Sequence, residues 1–244
     1  MSALLQVDKL GKRFGGFVAL EGIDLAVSAG ERVGLIGPNG SGKSTLVNCI
    51  AGALRNESGT VHFDGKRLDR LPAHRRTRLG LARSFQLPKP FHSMTVAENL
   101  HVPALYTVNA RHGVHLSNAQ IDARVEEVLT QVGLHEKANR RPRDLTQIEM
   151  RKLELARAMT AAPKLLIADE AMAGLSHSEV DDILALLLRL NAHGVTVIMI
   201  EHIMRAVTSF SQRLVVLVAG RKIADGAPEE VVRNPEVVKA YIGE

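Results

Sequence analysis

A nine-residue, glycine-rich stretch limits the folds open to this chain more than any other part of its sequence. It matches the template G-x-x-x-x-G-K-[ST] without a gap, and its residues are Gly37, Pro38, Asn39, Gly40, Ser41, Gly42, Lys43, Ser44 and Thr45. The short apolar run before it is typical of a buried strand, and residues 44–51 space their apolar side chains as a helix does. The motif is therefore predicted in the turn between a strand and a helix.

Such a turn is suited to binding phosphate. Gly37, Gly40 and Gly42 have no Cβ, so backbone N–H groups can approach phosphate oxygens, and the helix that follows adds positive potential. Lys43 supplies a cation for the terminal phosphates, and the Ser44 hydroxyl is a hard ligand for Mg²⁺. The alternative is a glycine turn with a chance lysine, and the strand and helix around it argue against that. We expect a nucleoside triphosphate here.

Two acids follow a second apolar run. Residues 164–169 are typical of a buried parallel strand, and the run ends in Asp169 and Glu170. Asp169 can hold Mg²⁺ through water molecules opposite Ser44, and Glu170 can orient or deprotonate the water that attacks a γ-phosphate. The alternative for such a pair is helix capping or a salt bridge.

A third strand, residues 195–200, precedes His202. A lone histidine in this position is commonly structural. In a parallel sheet, however, the carboxyl ends of the strands share one edge, where α/β proteins bind their ligands. Lys43, Asp169, Glu170 and His202 are therefore expected to lie near one another.

Alternating strand and helix patterns around the glycine-rich stretch predict an α/β fold with a mainly parallel sheet. The first segments read as strands, which we expect to form an N-terminal antiparallel part, and helical patterns dominate from residue 95 to 161. We predict a single domain over residues 1–244. Its α/β core comprises residues 1–87 and 162–244, and residues 88–161 form an inserted α-helical subdomain.

Phe14 is open to two interpretations, whereas the pattern gives Gln86 only one. Phe14 lies in a predicted turn, residues 12–16, between strands over residues 4–9 and 18–27. Its ring can belong to the core or offer an apolar face to an adenine. Gln86 ends a predicted strand and, judged by the sequence pattern alone, is polar surface.

Composition narrows the classes of partner. The formal charge is +5, and basic clusters lie at residues 74–78 and 140–143, but aromatic residues make up only 3% and tryptophan is absent. Without stacking residues, a nucleic-acid partner is not expected. Cys49 is the single cysteine, which excludes a disulfide framework. No apolar run approaches the ~20 residues of a membrane span and no signal-peptide pattern is present, so a role at a membrane would need other subunits.

These elements, in this order, resemble the ATP-binding subunit of an ABC transporter over essentially the whole chain. Residues 37–45 match the P-loop, Gln86 the glutamine loop, residues 165–170 the Walker B strand and His202 the switch histidine. Phe14 falls where the family has its adenine-stacking aromatic.

The resemblance implies ATP and Mg²⁺ as ligands. The metal would be held by three oxygen-bearing side chains, those of Ser44, Gln86 and Asp169. The residues expected to act in hydrolysis are Lys43, Glu170 and His202. The implied partners are a second ATP-binding subunit, transmembrane permease subunits and, indirectly, a solute-binding protein, with the chain peripheral to the cytoplasmic face of the plasma membrane.

Finer features are similar to the branched-chain amino-acid importer group. They lie in residues 12–16, 173–175, 201–204 and 234–243. The ATPases of lipopolysaccharide export resemble the same group, so that alternative stays open. Ala171 departs from the family, which usually has proline there, and the loop that follows is expected to be slightly less constrained.

The clearest departure is in the family's signature segment. Where the family has Leu-Ser-Gly-Gly-Gln or a close variant, this chain has Leu145, Thr146, Gln147, Ile148 and Glu149. In the family this segment reaches the γ-phosphate on the other subunit, and Ile148 brings a β-branched side chain where glycine allows close approach. We therefore expect one weak composite site and an asymmetric heterodimer. The alternative is a nucleotide-gated regulatory subunit with little turnover.

Overall fold

The computed structural model describes residues 3–84 and 88–242, and within them the chain alternates strands and helices. The strands are β1 (Leu5–Phe14), β2 (Phe17–Val27), β3 (Arg32–Ile36), β4 (Ser58–Phe63), β5 (Lys66–Arg67), β6 (Leu81–Ser84), β7 (Leu165–Asp169), β8 (Thr196–Ile200), β9 (Arg213–Val218) and β10 (Arg221–Gly226). The α-helices are α1 (Lys43–Ala51), α2 (Ala73–Arg78), α3 (Val96–Pro103), α4 (Asn118–Val132), α5 (Gln147–Thr160), α6 (His177–Ala192), α7 (Met204–Phe210), α8 (Pro228–Val231) and α9 (Pro235–Ile242).

The described strands form two sheets. The smaller is antiparallel with the order β2-β1-β4-β5, and the larger has the order β10-β9-β3-β8-β7-β6. In the larger sheet every neighbouring pair is parallel except β9 and β10. The prediction of a mainly parallel sheet with an N-terminal antiparallel part is confirmed.

The parallel sheet is buried on both faces, which explains why its strands are almost continuously apolar. In β7, Leu165 and Ile167 face a core cluster shared with α1 and the smaller sheet. Leu166 and Ala168 face the opposite cluster, which includes α4, α5 and α6. Successive side chains thus point to opposite faces, as the pleat requires.

The first hairpin is longer than the sequence suggested. Residues 12–14 continue β1, and the turn is reduced to Gly15 and Gly16. Lys12 pairs with Leu20 and Phe14 with Phe17, because Gly15 adopts a positive φ of 59° that lets the chain reverse within two residues. The predicted five-residue turn over residues 12–16 is therefore wrong.

Helices α3, α4 and α5 lie between β6 and β7 in the sequence and pack against one another. Helix α3 begins with a capping box, in which the Glu98 N–H donates to Thr95 Oγ1 at 3.2 Å and the Thr95 N–H donates to Glu98 Oε2 at 2.7 Å. These helices share one hydrophobic cluster with α6 and the sheet, so their description as a subdomain over residues 88–161 stays a prediction. Nowhere in the described ranges is there a helix long and apolar enough to span a bilayer.

Candidate functional site

The glycine-rich loop lies between β3 and α1, against β2 and β9. Gly37 has a φ of 149°, and a Cβ on it would stand 2.1 Å from the Leu217 carbonyl oxygen. Gly42 has a φ of 104°, and a Cβ there would stand 2.8 Å from the Ala19 carbonyl oxygen. Both approaches are shorter than real Cβ contacts, so the loop can take this shape only with glycine at these positions.

Helix α1 begins without a side-chain cap. Its N-cap is Gly42, which offers no acceptor to the first amides, and the Leu46 N–H is the donor to the Gly42 carbonyl at 2.8 Å. The amides of residues 43–45 therefore belong to the open N-terminal end of the helix. Ser41 Oγ, in a side chain only 2% exposed, has no hydrogen-bond partner among the described residues. An anion at this point would satisfy donors that the protein leaves open.

Lys43 lies within the loop rather than in solvent. Its Nζ donates to the Gly37 carbonyl at 2.7 Å and to the Pro38 carbonyl at 3.0 Å, and the residue is buried. Burial lowers the pKa of Lys43, while the carboxylates of Glu170 and Asp169 act in the opposite direction. The ammonium is thus held by two neutral acceptors that a phosphate can replace.

Asp169 ends β7 and is almost fully buried at the edge of the sheet. Its Oδ2 lies 2.6 Å from Arg83 Nη2 on the neighbouring strand β6, and its N–H lies 3.3 Å from Ser84 Oγ. Because β3 and β7 are both parallel neighbours of β8, their carboxyl ends meet at one edge. Asp169 is therefore on the same edge of the sheet as the glycine-rich loop.

Glu170 and His202 are brought into contact at the ends of β7 and β8. Glu170 Oε1 lies 3.0 Å from His202 Nε2. Glu170 has a positive φ of 47°, uncommon outside glycine, and its N–H donates to the Ile200 carbonyl at 2.9 Å. A strained backbone that aims a carboxylate at an imidazole beside an anion-binding loop is typical of a catalytic pair.

The loop after Glu170 is held by buried charge although Ala171 replaces proline. The Met172 N–H donates to Oε1 of the buried Glu201 at 2.8 Å, and Arg151 Nη2 donates to the Ala173 carbonyl at 3.1 Å. Burial raises the pKa of Glu201, and hydrogen bonds from backbone amides, including that of Met172, oppose the rise. The loop therefore has fixed contacts of its own without the proline.

Comparison with known proteins identifies what this site belongs to. A family model described as "ABC transporter" matches residues 20–173, which is more than half of the chain. The chain belongs to the ABC transporter ATPase family. A second model, described as "Branched-chain amino acid ATP-binding cassette transporter", matches residues 221–244.

Relatives of this ABC ATPase match it along nearly its full length. The BraF protein of Pseudomonas aeruginosa, named a high-affinity branched-chain amino acid transport ATP-binding protein, is 40% identical over 99% of this chain and 98% of its own. The LivG protein of Escherichia coli, which has the same description, is 38% identical over the same shares. A crystal structure of the ADP conformation of an ATP-binding cassette covers 100% of both chains with a TM-score of 0.89 and 32% identity.

Two of the residues predicted to contact nucleotide have different outcomes. Phe14, at the end of β1, is 48% exposed, so its placement in the core is excluded. Lys12 Nζ lies 5.2 Å from the centroid of its ring. Its role in adenine stacking stays a prediction. Gln86 lies outside the described residues, and its contacts with metal stay a prediction as well.

The altered signature segment forms the start of α5. Thr146 is the N-cap, and the box is closed by Glu149, whose Oε2 accepts from the Thr146 N–H at 2.9 Å and whose Oε1 lies 2.6 Å from Lys137 Nζ. Burial acts to raise the pKa of Glu149, but hydrogen bonds from Lys137 and Thr146 outweigh it and the pKa is lowered. The helix N-terminus therefore already carries a carboxylate of its own.

The two central signature residues have different environments. The Ile148 side chain is partly buried and packs against the main core cluster. Gln147 is exposed, and its Nε2 lies 2.7 Å from the point where a Cβ on Gly174 would stand. Gln147 is therefore the exposed side chain that would obstruct close approach to this surface. Ile148 is expected to restrict the backbone as well.

The sequence analysis missed three residues near the site. Arg83 contacts Asp169, and Asn48 on α1 contacts Arg83. A charged residue within the apolar strand β6 was the available signal for Arg83. Tyr241 of α9 is the third: burial raises its pKa, and a hydrogen bond with the Gly37 backbone opposes the rise. Nothing in the spacing of residues 235–242 indicated that α9 reaches the glycine-rich loop.

Proposed function

We propose that this chain is the ATP-binding and ATP-hydrolysing subunit of an importer for branched-chain amino acids or related small solutes. The observation that carries this is full-length similarity to BraF, together with the branched-chain model over residues 221–244. The site supports it, because the loop, Asp169, Glu170 and His202 occupy one edge of the sheet. The chain would supply energy to separate permease subunits.

The side chains divide the chemistry between them. The open amides of α1 and the Lys43 ammonium bind the phosphate chain and stabilise charge that develops on it during hydrolysis. Glu170 accepts a hydrogen bond or a proton from the attacking water, and His202, 3.0 Å away, orients the carboxylate. The water must stand in line with the bond that breaks, and the hydrogen bond from the Glu170 N–H to the Ile200 carbonyl helps to fix where the carboxylate lies.

The donor set fits Mg²⁺. The Ser44 hydroxyl and the Asp169 carboxylate are hard oxygen ligands, and a single carboxylate with a hydroxyl leaves coordination positions for phosphate and water, as Mg²⁺ prefers. Gln86 is the third ligand that we propose. When bound, the ion would neutralise part of the negative charge of the phosphates.

We propose that the chain works with a second, different ATP-binding subunit. Its own loop and acids are complete, whereas its signature has Gln147 on the surface and the Glu149 carboxylate at the helix N-terminus. A carboxylate there repels a γ-phosphate presented by a partner. A dimeric cassette with bound ADP and phosphate, 25% identical to this chain with a TM-score of 0.81, supports the dimer itself. One composite site would hydrolyse ATP and the other would be weak.

A groove on the helical side is the contact surface that we propose for the permease. Its volume is about 310 Å³, and it lies between α2 and β6 on one side and α3 and α5 on the other, near Tyr106 and Arg157. Tyr106 is 71% exposed, and the neighbouring Leu105 is 41% exposed. Exposed large apolar side chains beside a groove favour a protein partner. With this surface bound to a permease, we propose that the chain lies peripherally at the cytoplasmic face of the membrane.

The experiment is purification of the tagged full-length chain from native membranes, with its partners identified by mass spectrometry. The proposal predicts two permease proteins, a second ATP-binding subunit and solute-dependent hydrolysis after reconstitution. A lipopolysaccharide-binding assembly would favour an exporter. An ATP-bound complex without turnover would favour the regulatory subunit, and ribosomes or DNA would contradict a transporter.

A further inference from the structure

The Arg83 guanidinium connects three parts of the nucleotide site. Its Nη2 lies 2.6 Å from Asp169 Oδ2 at the end of β7, and its Nη1 lies 2.5 Å from Asn48 Oδ1 on α1. The Arg83 and Asp169 side chains are only 13% and 9% exposed. Asn48 comes four residues after Ser44, so both are on the same side of α1. The arginine therefore ties the metal side of the phosphate-binding helix to the acid expected to face the metal.

The ion pair between Arg83 and Asp169 makes the site less negative in the absence of a divalent cation. A buried carboxylate without a counter-ion would repel a triphosphate, and the repulsion is strong because water is largely excluded. The guanidinium balances this charge through its contact with Oδ2. A carboxylate has lone pairs on both oxygens, so Asp169 can contact Arg83 and the hydration shell of a cation at the same time.

We propose that Arg83 is a positioning residue that sets the divalent-cation dependence of nucleotide binding. In the cation-free site it neutralises Asp169 and so allows the triphosphate to enter. Once the cation is bound, the cation balances the same carboxylate and Arg83 contributes little charge compensation of its own. This inference rests on the proposed nucleotide site.

A merely structural role for Arg83 makes a different prediction. If the guanidinium only fastened β6 to β7 and α1, its loss would weaken nucleotide binding equally with and without cation, and the cation dependence would not change. The quantity to measure is therefore the ratio of two dissociation constants, one in EDTA and one in magnesium.

The test uses the full-length chain and the ATP analogue AMP-PNP, titrated by calorimetry in EDTA and in magnesium chloride. Arg83→Gln is expected to raise Kd in EDTA by about 10-fold to 100-fold and Kd in magnesium by less than about threefold. Arg83→Lys keeps the charge and is expected to recover most of the affinity in EDTA. Arg213→Gln is the matched control, because Arg213 forms a partly buried ion pair with Glu31 at 2.6 Å at the opposite edge of the sheet, and both constants should stay within about twofold of wild type.

The double variant Arg83→Gln with Asp169→Asn isolates the charge. Removal of the acid should return Kd in EDTA to within about threefold of wild type. If Arg83→Gln does not fold, the Asp169→Asn variant tests the inference by itself. It should bind AMP-PNP in EDTA at least as tightly as wild type. Equal loss in both buffers, no rescue by the double variant, or weaker binding by Asp169→Asn in EDTA would overturn the inference. Absence of wild-type binding in both buffers would overturn the proposed function along with it.

Discussion

The altered signature gives the most informative prediction. Replacement of residues 146–149 by Ser-Gly-Gly-Gln removes the exposed Gln147 amide, the β-branched side chain of Ile148 and the Glu149 carboxylate from the start of α5. The amides of α5 would then be open to a γ-phosphate on a second copy, as those of α1 are in the loop. We expect the purified chain, as a homodimer, to gain ATP turnover.

The size of the gain follows from what the segment would contact. Donors that meet transition-state charge are typically worth about 10²–10³ in rate, or about 2.7–4 kcal/mol, which is the upper limit here. The substitution also has structural costs: each new glycine costs up to about 1 kcal/mol in the helix. Loss of the Lys137–Glu149 ion pair, 38% and 19% exposed, costs less than about 1 kcal/mol. Against a typical stability of about 5–15 kcal/mol the fold should persist, with a lower Tm.

The assay is phosphate release at saturating Mg-ATP by wild type and variant at equal concentration. The expected result is a rise of at least tenfold. Adding Glu170→Gln to the variant should abolish the gain, because the rate must still come from this chain's own acid. A variant that folds and binds ATP but hydrolyses no faster than wild type would refute the assignment of the weak site to this segment.

Three further predictions test other parts of the structure. Glu170→Gln keeps the side-chain shape but removes the base, so phosphate release with an intact-signature partner should fall about 10²–10⁴-fold, and unchanged release would exclude the role. Arg76→Met leaves three main-chain carbonyls, two of them at the end of α1, without their guanidinium donor. Urea unfolding should show that the free energy of unfolding falls by about 3 kcal/mol, compared with less than about 0.5 kcal/mol for Arg75→Met at an exposed position. Burial raises the pKa of Cys49 to about 11, so about one thiol in a thousand is ionised at pH 8, and iodoacetamide should label only the unfolded chain; rapid native labelling would contradict this.

The parallel core could be predicted because several independent signals agreed there. The glycine-rich loop, the apolar strands before Asp169 and His202, and the helix spacing all describe the same βα architecture, and local consistency of this kind is what a foldable sequence requires. The structure confirms the strand predicted over residues 164–169, which runs from Leu165 to Asp169. The acid at a strand end was predicted to be near the loop because parallel strands share their carboxyl edge.

The hairpin and the contacts of Arg83 could not be predicted for a common reason. Both depend on which residues of neighbouring elements are paired, and a single sequence does not display that pairing. Phe14 continues β1 because its partner Phe17 is reached through a two-residue glycine turn, whereas two basic residues and two glycines within five residues favour a loop. Arg83 reads as an interruption of an apolar strand until β7 brings Asp169 beside it.

The reach of α9 also depends on tertiary structure. Its apolar residues predict a short amphipathic helix, and Val237 is indeed buried in the main core cluster. Only the folded chain shows that the next turn of α9 places Tyr241 near the Gly37 backbone. Sequence patterns record which face of a helix is apolar, and they do not record what its last polar side chain meets.

Calorimetric titration of the full-length chain with Mg-ATP, beside Lys43→Ala, tests the central claim most directly. Lys43 is buried in the loop and donates to the carbonyls of Gly37 and Pro38. We predict saturable heat for wild type and a Kd at least about tenfold higher for the variant, because a charge-assisted contact with phosphate is lost. No heat with wild type, or identical isotherms for the two proteins, would contradict the account.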